Sequence, residues 1–394
     1  MDIIRPTKTT TPNNTTLLRP EYSGVIVSSQ VTLGPNDDIQ STINNFLAAG
    51  TGGSILLNSG TYVINNDINL PSDVTLEGAS DGSVLFVMAG AYSIKATGSS
   101  AYSVGTISVT KGSASITGAG TAWLSNLTTS HKIKIDGLPY SIAQIISDTQ
   151  IILTSKYFGS TTGGLAYTAA IFASNIALKN IIMVTVPTYG IVMNYADLVT
   201  IDNVTIVSPG VSGISLANSS RLTLDTVVID GAAVSGLVAA NTDLMNCTRV
   251  AITNCGSNGF DFSTCSQVIF TSCPADNNGG NGFLATSGSR YSWMICEFNQ
   301  NASSGISLAG SLSSAAIIGG AGLNNTLDGI RLADTVSKAT VSAGFIGTGN
   351  GGYAVNISAA GVDRTSVVAN QLSSNTTGSV NNLGTNTVNA NNQT

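Results

Sequence analysis

Gly190-Ile191-Val192-Met193, Gly213-Ile214-Ser215-Leu216, Gly236-Leu237-Val238-Ala239, Gly259-Phe260-Asp261-Phe262 and Gly282-Phe283-Leu284-Ala285 are one phrase repeated: a glycine, then apolar-x-apolar. The phrase continues at Gly305, Gly329 and Gly352, and of the seven intervals between these glycines six are 23 residues and one is 24. Other columns keep the step. Twelve residues before successive glycines stand Ile201, Leu224, Cys247, Phe270, Trp293 and Ile317; seven before stand Ile206, Ile229, Ile252, Ala275 and Phe298. A strict period of this length means a stacked array. Alternation inside each period means strands. Three short parallel strands per period make one coil, paired with the coils above and below. The fold class is therefore all-β, a right-handed single-stranded parallel β-helix with 23-residue coils. Glycine is expected at a tight corner, where a Cβ would interfere.

Composition agrees with that architecture. Of 394 residues, 42% are hydrophobic and 9% charged, with 43 Gly. Without the period, so many polar small residues would indicate disorder. The net charge of -6 argues against a nucleic-acid partner. No apolar run is long enough to span a bilayer, so no membrane insertion is expected. Met1-Asp2-Ile3-Ile4-Arg5-Pro6 lacks the apolar core of a signal peptide. The five cysteines fall within 247–296 and read as small apolar fillers, although Cys273 and Cys296 share a column and could be bridged. His131 is the single histidine, which leaves a zinc site and a histidine-based triad unsupported; no cofactor and no metal are expected.

In chain order, residues 1–24 are Thr, Pro and Asn rich with three cations and cannot build a core. They are expected to be a flexible attachment arm. Residues 25–102 should hold a helix over 36–50 and the first coils. Ile39, Ile43, Phe46 and Leu47 share a face, Asn36 can cap, Asp37 and Asp38 suit the first turn, and Gly50 suits the exit. Such a helix can cap the open end of a solenoid. Residues 103–168 interrupt the ladder with a compact inserted β module. Its strands are expected at Val109–Gly118, Lys132–Gly137 and Gln150–Thr154. Trp123 and Tyr140 are its large aromatics, either core or sugar-stacking platforms. Residues 169–394 are the ladder proper and a C-terminal tail. Phe260 should lie on Phe283, and Phe270 on Trp293.

The run Asp37-Asp38-Ile39-Gln40…Gly52-Gly53…Gly60-Thr61-Tyr62…Leu70-Pro71-Ser72-Asp73-Val74-Thr75-Leu76-Glu77-Gly78 resembles the N-terminal part of the pectate-lyase-like β-helix superfamily. Phage tailspikes, polygalacturonases and many surface-polysaccharide enzymes share that fold. The insertion resembles a small module of phage tail and fibre proteins, with its Gly120-Thr121-Ala122-Trp123 turn and Ser147-Asp148-Thr149-Gln150 hairpin. Together these resemblances imply a tailspike-like virion protein on a phage tail, extracellular in use. Its partner would be a host surface polysaccharide, and residues 1–24 would dock on a virion adaptor protein. Two alternatives stay open: a free polysaccharide lyase or hydrolase, and a non-catalytic structural fibre.

Function on a β-helix lies on outward residues. Val192, Ser215, Val238, Leu284 and Ala354, with Ala217, Ala240, Ala309 and Ala333, read as a small apolar outward face and suggest a homotrimer. Acids occupy other outward columns: Asp202 and Asp225 share one, Asp230 and Asp276 another, with Glu297 beside it. Paired carboxylates at about 5–9.5 Å are what glycoside hydrolysis needs. Like charges at that range also raise one pKa, as a general acid requires. The candidate catalytic residues are Asp225, Asp230, Asp276 and Glu297. The competing reading is that solenoid turns favour Asp and Asn for backbone hydrogen bonding. Arg249 lies near Asp225, yet no full lyase motif is legible; an acidic lining suits a neutral glycan better than a uronate polymer, which favours a glycoside hydrolase over a lyase if the chain is an enzyme.

Overall fold

The computed structural model describes residues 29–99 and 101–394; the proposed attachment arm lies outside them. The chain is an all-β, right-handed parallel solenoid. The alternating pattern causes it directly. Leu178, Ile201, Leu224, Cys247, Phe270, Trp293, Ile317 and Val341 follow one another in register on successive coils, and all are buried. Each such large apolar side chain contributes about 1.5–3 kcal/mol by leaving water. A one-residue slip would turn the whole column outward, so the register is strongly specified. The coils turn where Asn180, Asn203, Thr226, Arg249 and Ser272 take left-handed backbone, φ 51–57°. Asn tolerates that region best, because its short amide bonds locally.

The ladder glycines serve a different purpose from the one expected. They are not left-handed corners. A Cβ on Gly305 would lie 2.6 Å from the carbonyl oxygen of Gly329, and one on Gly282 2.7 Å from that of Gly305. The next coil approaches too closely for a side chain. The last rung also departs from the period. Ile330 pairs with Val355 and Leu332 with Ile357, so Ala354, not Gly352, follows Gly329. Ala354 is fully buried, not outward. The outward column in register runs Val192, Ser215, Val238, Asp261, Leu284, Ser307, Arg331 and Asn356, with charges among its apolar members.

Aromatic rings stack along the inward columns. Phe270 lies on Trp293 at 5.8 Å with rings 6° apart, and Phe260 lies 5.9 Å from Phe283. Beside them runs a buried amide ladder: Asn278, Asn301, Asn325 and Asn350. Each side-chain Nδ2 donates to the Oδ1 of the next at 2.8–3.0 Å, ending on Asn375. The same Oδ1 atoms accept backbone N–H groups, so the turn carries no orphaned donors there. The five cysteines are free and buried; the Cys273 N–H points at Cys296 Sγ, 3.4 Å away.

The helix spans Ile39–Ala48 and packs on strands Gly53–Leu57 and Ile68–Asn69. Asp38 is its N-cap and accepts from the Ser41 N–H at 3.1 Å. Asp37 instead accepts from the Gly34 N–H at 2.7 Å. Ile39, Ile43 and Phe46 are buried, whereas Leu47 is exposed, one position past the apolar stripe. Among the described residues no helix is long and apolar enough to cross a membrane.

Between strands Ile94–Thr97 and Ala173–Val184 the chain leaves the solenoid for a separate seven-stranded antiparallel sheet, Thr106–Val109 to Thr168–Ala170. The stretch expected as one strand at Val109–Gly118 is two, Thr106–Val109 and Ser115–Ala119, with a turn at Gly112 (φ 82°). The sheet has its own core, in which Trp123 is fully buried and Tyr140 is buried too. Trp123 Nε1 donates to Tyr167 Oη at 2.9 Å. Neither ring is a sugar platform. The solenoid resumes without loss of register: Ile191 pairs with Ile94 as well as with Ile214.

Candidate functional site

Outward side chains between corners line up one per coil, so every acid is placed by register. Asp202 and Asp225 pair directly. Asp225 Oδ1 is bound by Arg249 Nη2 at 2.5 Å and by Thr226 Oγ1 at 3.0 Å. Asp230, Thr253 and Asp276 succeed one another in a second column. Asp230 Oδ1 accepts from Thr253 Oγ1 at 2.9 Å and Asn254 Nδ2 at 2.7 Å. Asp276 Oδ1 accepts from the Asn299 N–H at 2.7 Å. Burial pushes the Asp276 carboxyl above the usual range, the Asn299 N–H opposes this, and the charge of Glu297 adds to the rise. Glu297 is exposed on the following coil. The structure thus brings Asp276 and Glu297 together, with Asp230 two coils away in the same column. Asp225 stands apart, across the Thr226 corner, held in an arginine contact. A half-buried carboxyl that holds its proton more tightly than usual, beside an exposed second carboxyl group, is suited to donate a proton to a leaving oxygen while the other acts as base or nucleophile.

A second constellation was not legible as a site. Lys132 and Lys134 alternate on strand Lys132–Ile135, so both lie on one face of the inserted sheet. That face meets the solenoid flank. Lys132 Nζ contacts Asp197 Oδ2 at 2.6 Å, and Arg221 Nε contacts Asp197 Oδ1 at 2.6 Å. Asp197 is fully buried between them. Lys134 Nζ contacts Asp243 Oδ2 at 2.8 Å and the Asn241 carbonyl at 2.7 Å. Asp243 is buried; desolvation pushes its carboxyl up, and Lys134 pulls it back. Gly137 (φ 83°) sits against it, where a Cβ would fall 2.9 Å from Asp243 Cγ. Breaking a buried pair by removing one partner costs about 3–5 kcal/mol, so these pairs hold the sheet against the coils. Beside them lies an open cleft of about 570 Å³ between sheet and flank. The signal for it was two alternate lysines on a strand, which by themselves read as a solvated face.

A family model described as the right-handed beta helix region matches residues 165–321. No curated protein matches the chain in sequence. Among solved structures, the A-module of the mannuronan C-5 epimerase AlgE6 of Azotobacter vinelandii is similar at 16% identity and TM-score 0.56, over 89% of this chain and 94% of that one. ORF18 of Geobacillus virus E2 is similar at 12% identity and TM-score 0.50, over 92% of this chain and 60% of that one. The catalytic domain of a GH87 alpha-1,3-glucanase, in complex with nigerose, is similar at 11% identity and TM-score 0.50, over 95% of this chain and 70% of that one. At such identities the likeness shows the fold.

Proposed function

We propose that this chain is a tailspike-like virion protein that binds a host cell-surface polysaccharide and hydrolyses it. The observation that carries the reading is the outward acids on a rigid solenoid, Asp230 and Asp276 in one column and Glu297 beside it on the next coil, with the Asp276 carboxyl raised by burial and by Glu297. Support also comes from the proteins of similar fold, which include a mannuronan C-5 epimerase, a glucanase and a viral protein. Asp276 is the proton donor and Glu297 the base or nucleophile. Asp225 orients its surroundings through Arg249. The half-buried Val238 and Leu284 on the outward column suit side-by-side association into a homotrimer, and residues 1–24 serve the virion adaptor. The test is reducing-end release from capsule or O-antigen preparations, comparing wild type with Asp225→Asn, Asp230→Asn, Asp276→Asn and Glu297→Gln. Loss of about 10²-fold in Asp276→Asn or Glu297→Gln, with binding kept, is expected. Wild-type activity in all four variants would remove these acids from catalysis. Light scattering should give three times the monomer mass, and Ala240→Arg should give monomers that keep their β signal.

A second reading, a non-catalytic binding fibre, is favoured by one observation: Asp225 and Asp230 spend their carboxylates on neighbouring side chains, as turn residues do. Intact binding with no cleavage by wild type would select it.

A further inference from the structure

We propose that the cleft between the inserted sheet and the solenoid flank binds a short neutral oligosaccharide. This rests on the polysaccharide reading above and gives it a binding site separate from the Asp276–Glu297 flank. The cleft's floor is a corner column with one residue per coil, Tyr195, Asn218, Asn241 and Thr264, at a constant step of 23 residues. At about 4.8 Å per coil, its three steps span about 14 Å. One wall is the inserted sheet, with Lys134, Asp136 and Thr168; the other is the flank, with Ser266, Ser289 and Arg290.

The chemistry of this lining selects the ligand. Asn241 Nδ2 donates to Asn218 Oδ1 at 3.4 Å, and Asn218 Nδ2 to Asn194 Oδ1 at 3.0 Å, so the amides form a row along the axis. Ser289 Oγ donates to Ser266 Oγ at 3.1 Å. Amides and hydroxyls have more donor and acceptor sites than these bonds use, and the surplus is available to a ligand rich in hydroxyls. The charges cancel: Lys134 and Arg290 against Asp136 and Asp243. Lys134 is held by Asp243, and Asp136 accepts from Tyr157 Oη at 2.5 Å. A balanced cleft has no net field to draw an ion. The half-buried Tyr195 adds an aromatic ring, fixed edge-on against Phe172 at 5.9 Å. The buried ion pairs fix both walls before any ligand arrives, which lowers the ordering cost of binding.

The test is titration of the full chain, by calorimetry and saturation-transfer NMR, with a panel of hexasaccharides: malto-, isomalto-, laminari-, manno- and galacto-oligosaccharides, with oligogalacturonate and hyaluronan fragments as anionic arms. At least one neutral member should bind. Tyr195→Asn, Arg290→Gln and Ser289→Trp should each weaken it about tenfold or more, while Asp276→Asn and Glu297→Gln bind as wild type. Tyr195→Asn suits the left-handed corner (φ 50°) and Arg290 is exposed, so at least these two variants should fold. If the cleft variants bind as wild type while the flank variants do not, the polysaccharide reading stands and the cleft proposal falls. Binding confined to the anionic arms overturns the neutral assignment. If no member binds, both readings fail.

Discussion

Asn301→Leu should expose how much the interior amide ladder holds. Asn301 is 1% exposed, so water cannot replace what is lost. Its Oδ1 accepts from the Asn278 N–H at 3.1 Å and from Asn278 Nδ2 at 3.0 Å. Its Nδ2 donates to Asn325 Oδ1 and to the Ala275 carbonyl, both at 3.0 Å. Leucine fills similar space but offers none of these bonds. Each buried donor left on Asn278 costs about 1–3 kcal/mol, about 2–6 for the two. The added apolar burial offsets about 2 kcal/mol of this at most. A net loss of about 3 kcal/mol is expected. Because coils interact mainly with their neighbours, the damage should be local. Hydrogen exchange at the Asn278 amide should accelerate about 10²-fold, while amides near Ile55 keep their protection. Urea melts followed by circular dichroism supply the stability. A loss below about 1 kcal/mol with unchanged exchange at Asn278 would refute the reasoning, and the ladder would then be a geometric accident of the turn.

Three further outcomes follow from the same physics. Phe283 is fully buried against Phe260, Phe262, Phe270, Tyr291 and Trp293, so Phe283→Ala should cost about 3–5 kcal/mol and Phe283→Asp should abolish the β signal in circular dichroism. Asp276 has its carboxyl raised by burial and by Glu297, so the folded state holds its proton more tightly than the unfolded one. Its contribution therefore falls as pH rises from the ordinary carboxylate range through the raised value. Asp276→Asn should accordingly stabilise the protein at pH 7, with the gain vanishing below about pH 4, as read from urea midpoints at both pH values. Lys134→Met strands the buried Asp243 carboxylate and should cost about 3–5 kcal/mol in thermal melts, whereas the double variant Lys134→Met/Asp243→Leu should recover most of it.

What could be read in advance follows from distance along the chain. The inward columns were legible because each residue's environment repeats every coil, and Phe270 on Trp293 follows from the 23-residue step alone. The helix was legible from its apolar spacing, but its cap was not. Asn36, Asp37 and Asp38 all precede it as candidate caps, and only backbone geometry selects Asp38. The register failed at Gly352 because a coil had gained two residues, and glycine spacing continued while pairing moved on to Ala354. The amide ladder escaped notice although Asn278, Asn301 and Asn325 each stand four residues before a ladder glycine. In a chain so rich in Asn, a buried asparagine looks like a turn asparagine.

The candidate sites divide along the same line. Columns of outward acids could be drawn from the period, since register is a local, repeating property. Which partner each acid takes was decided by local contacts: Arg249 takes up Asp225, Thr253 and Asn254 take up Asp230, and the Asn299 N–H takes up one oxygen of Asp276, whose carboxyl burial and Glu297 still push up. The cleft belongs to tertiary structure altogether. Lys134 and Asp243 are 109 residues apart, on a sheet and a coil that share no repeat. Period determines what stacks within the solenoid. How an insertion folds back over it depends on buried charges finding partners, and no spacing in the chain records that.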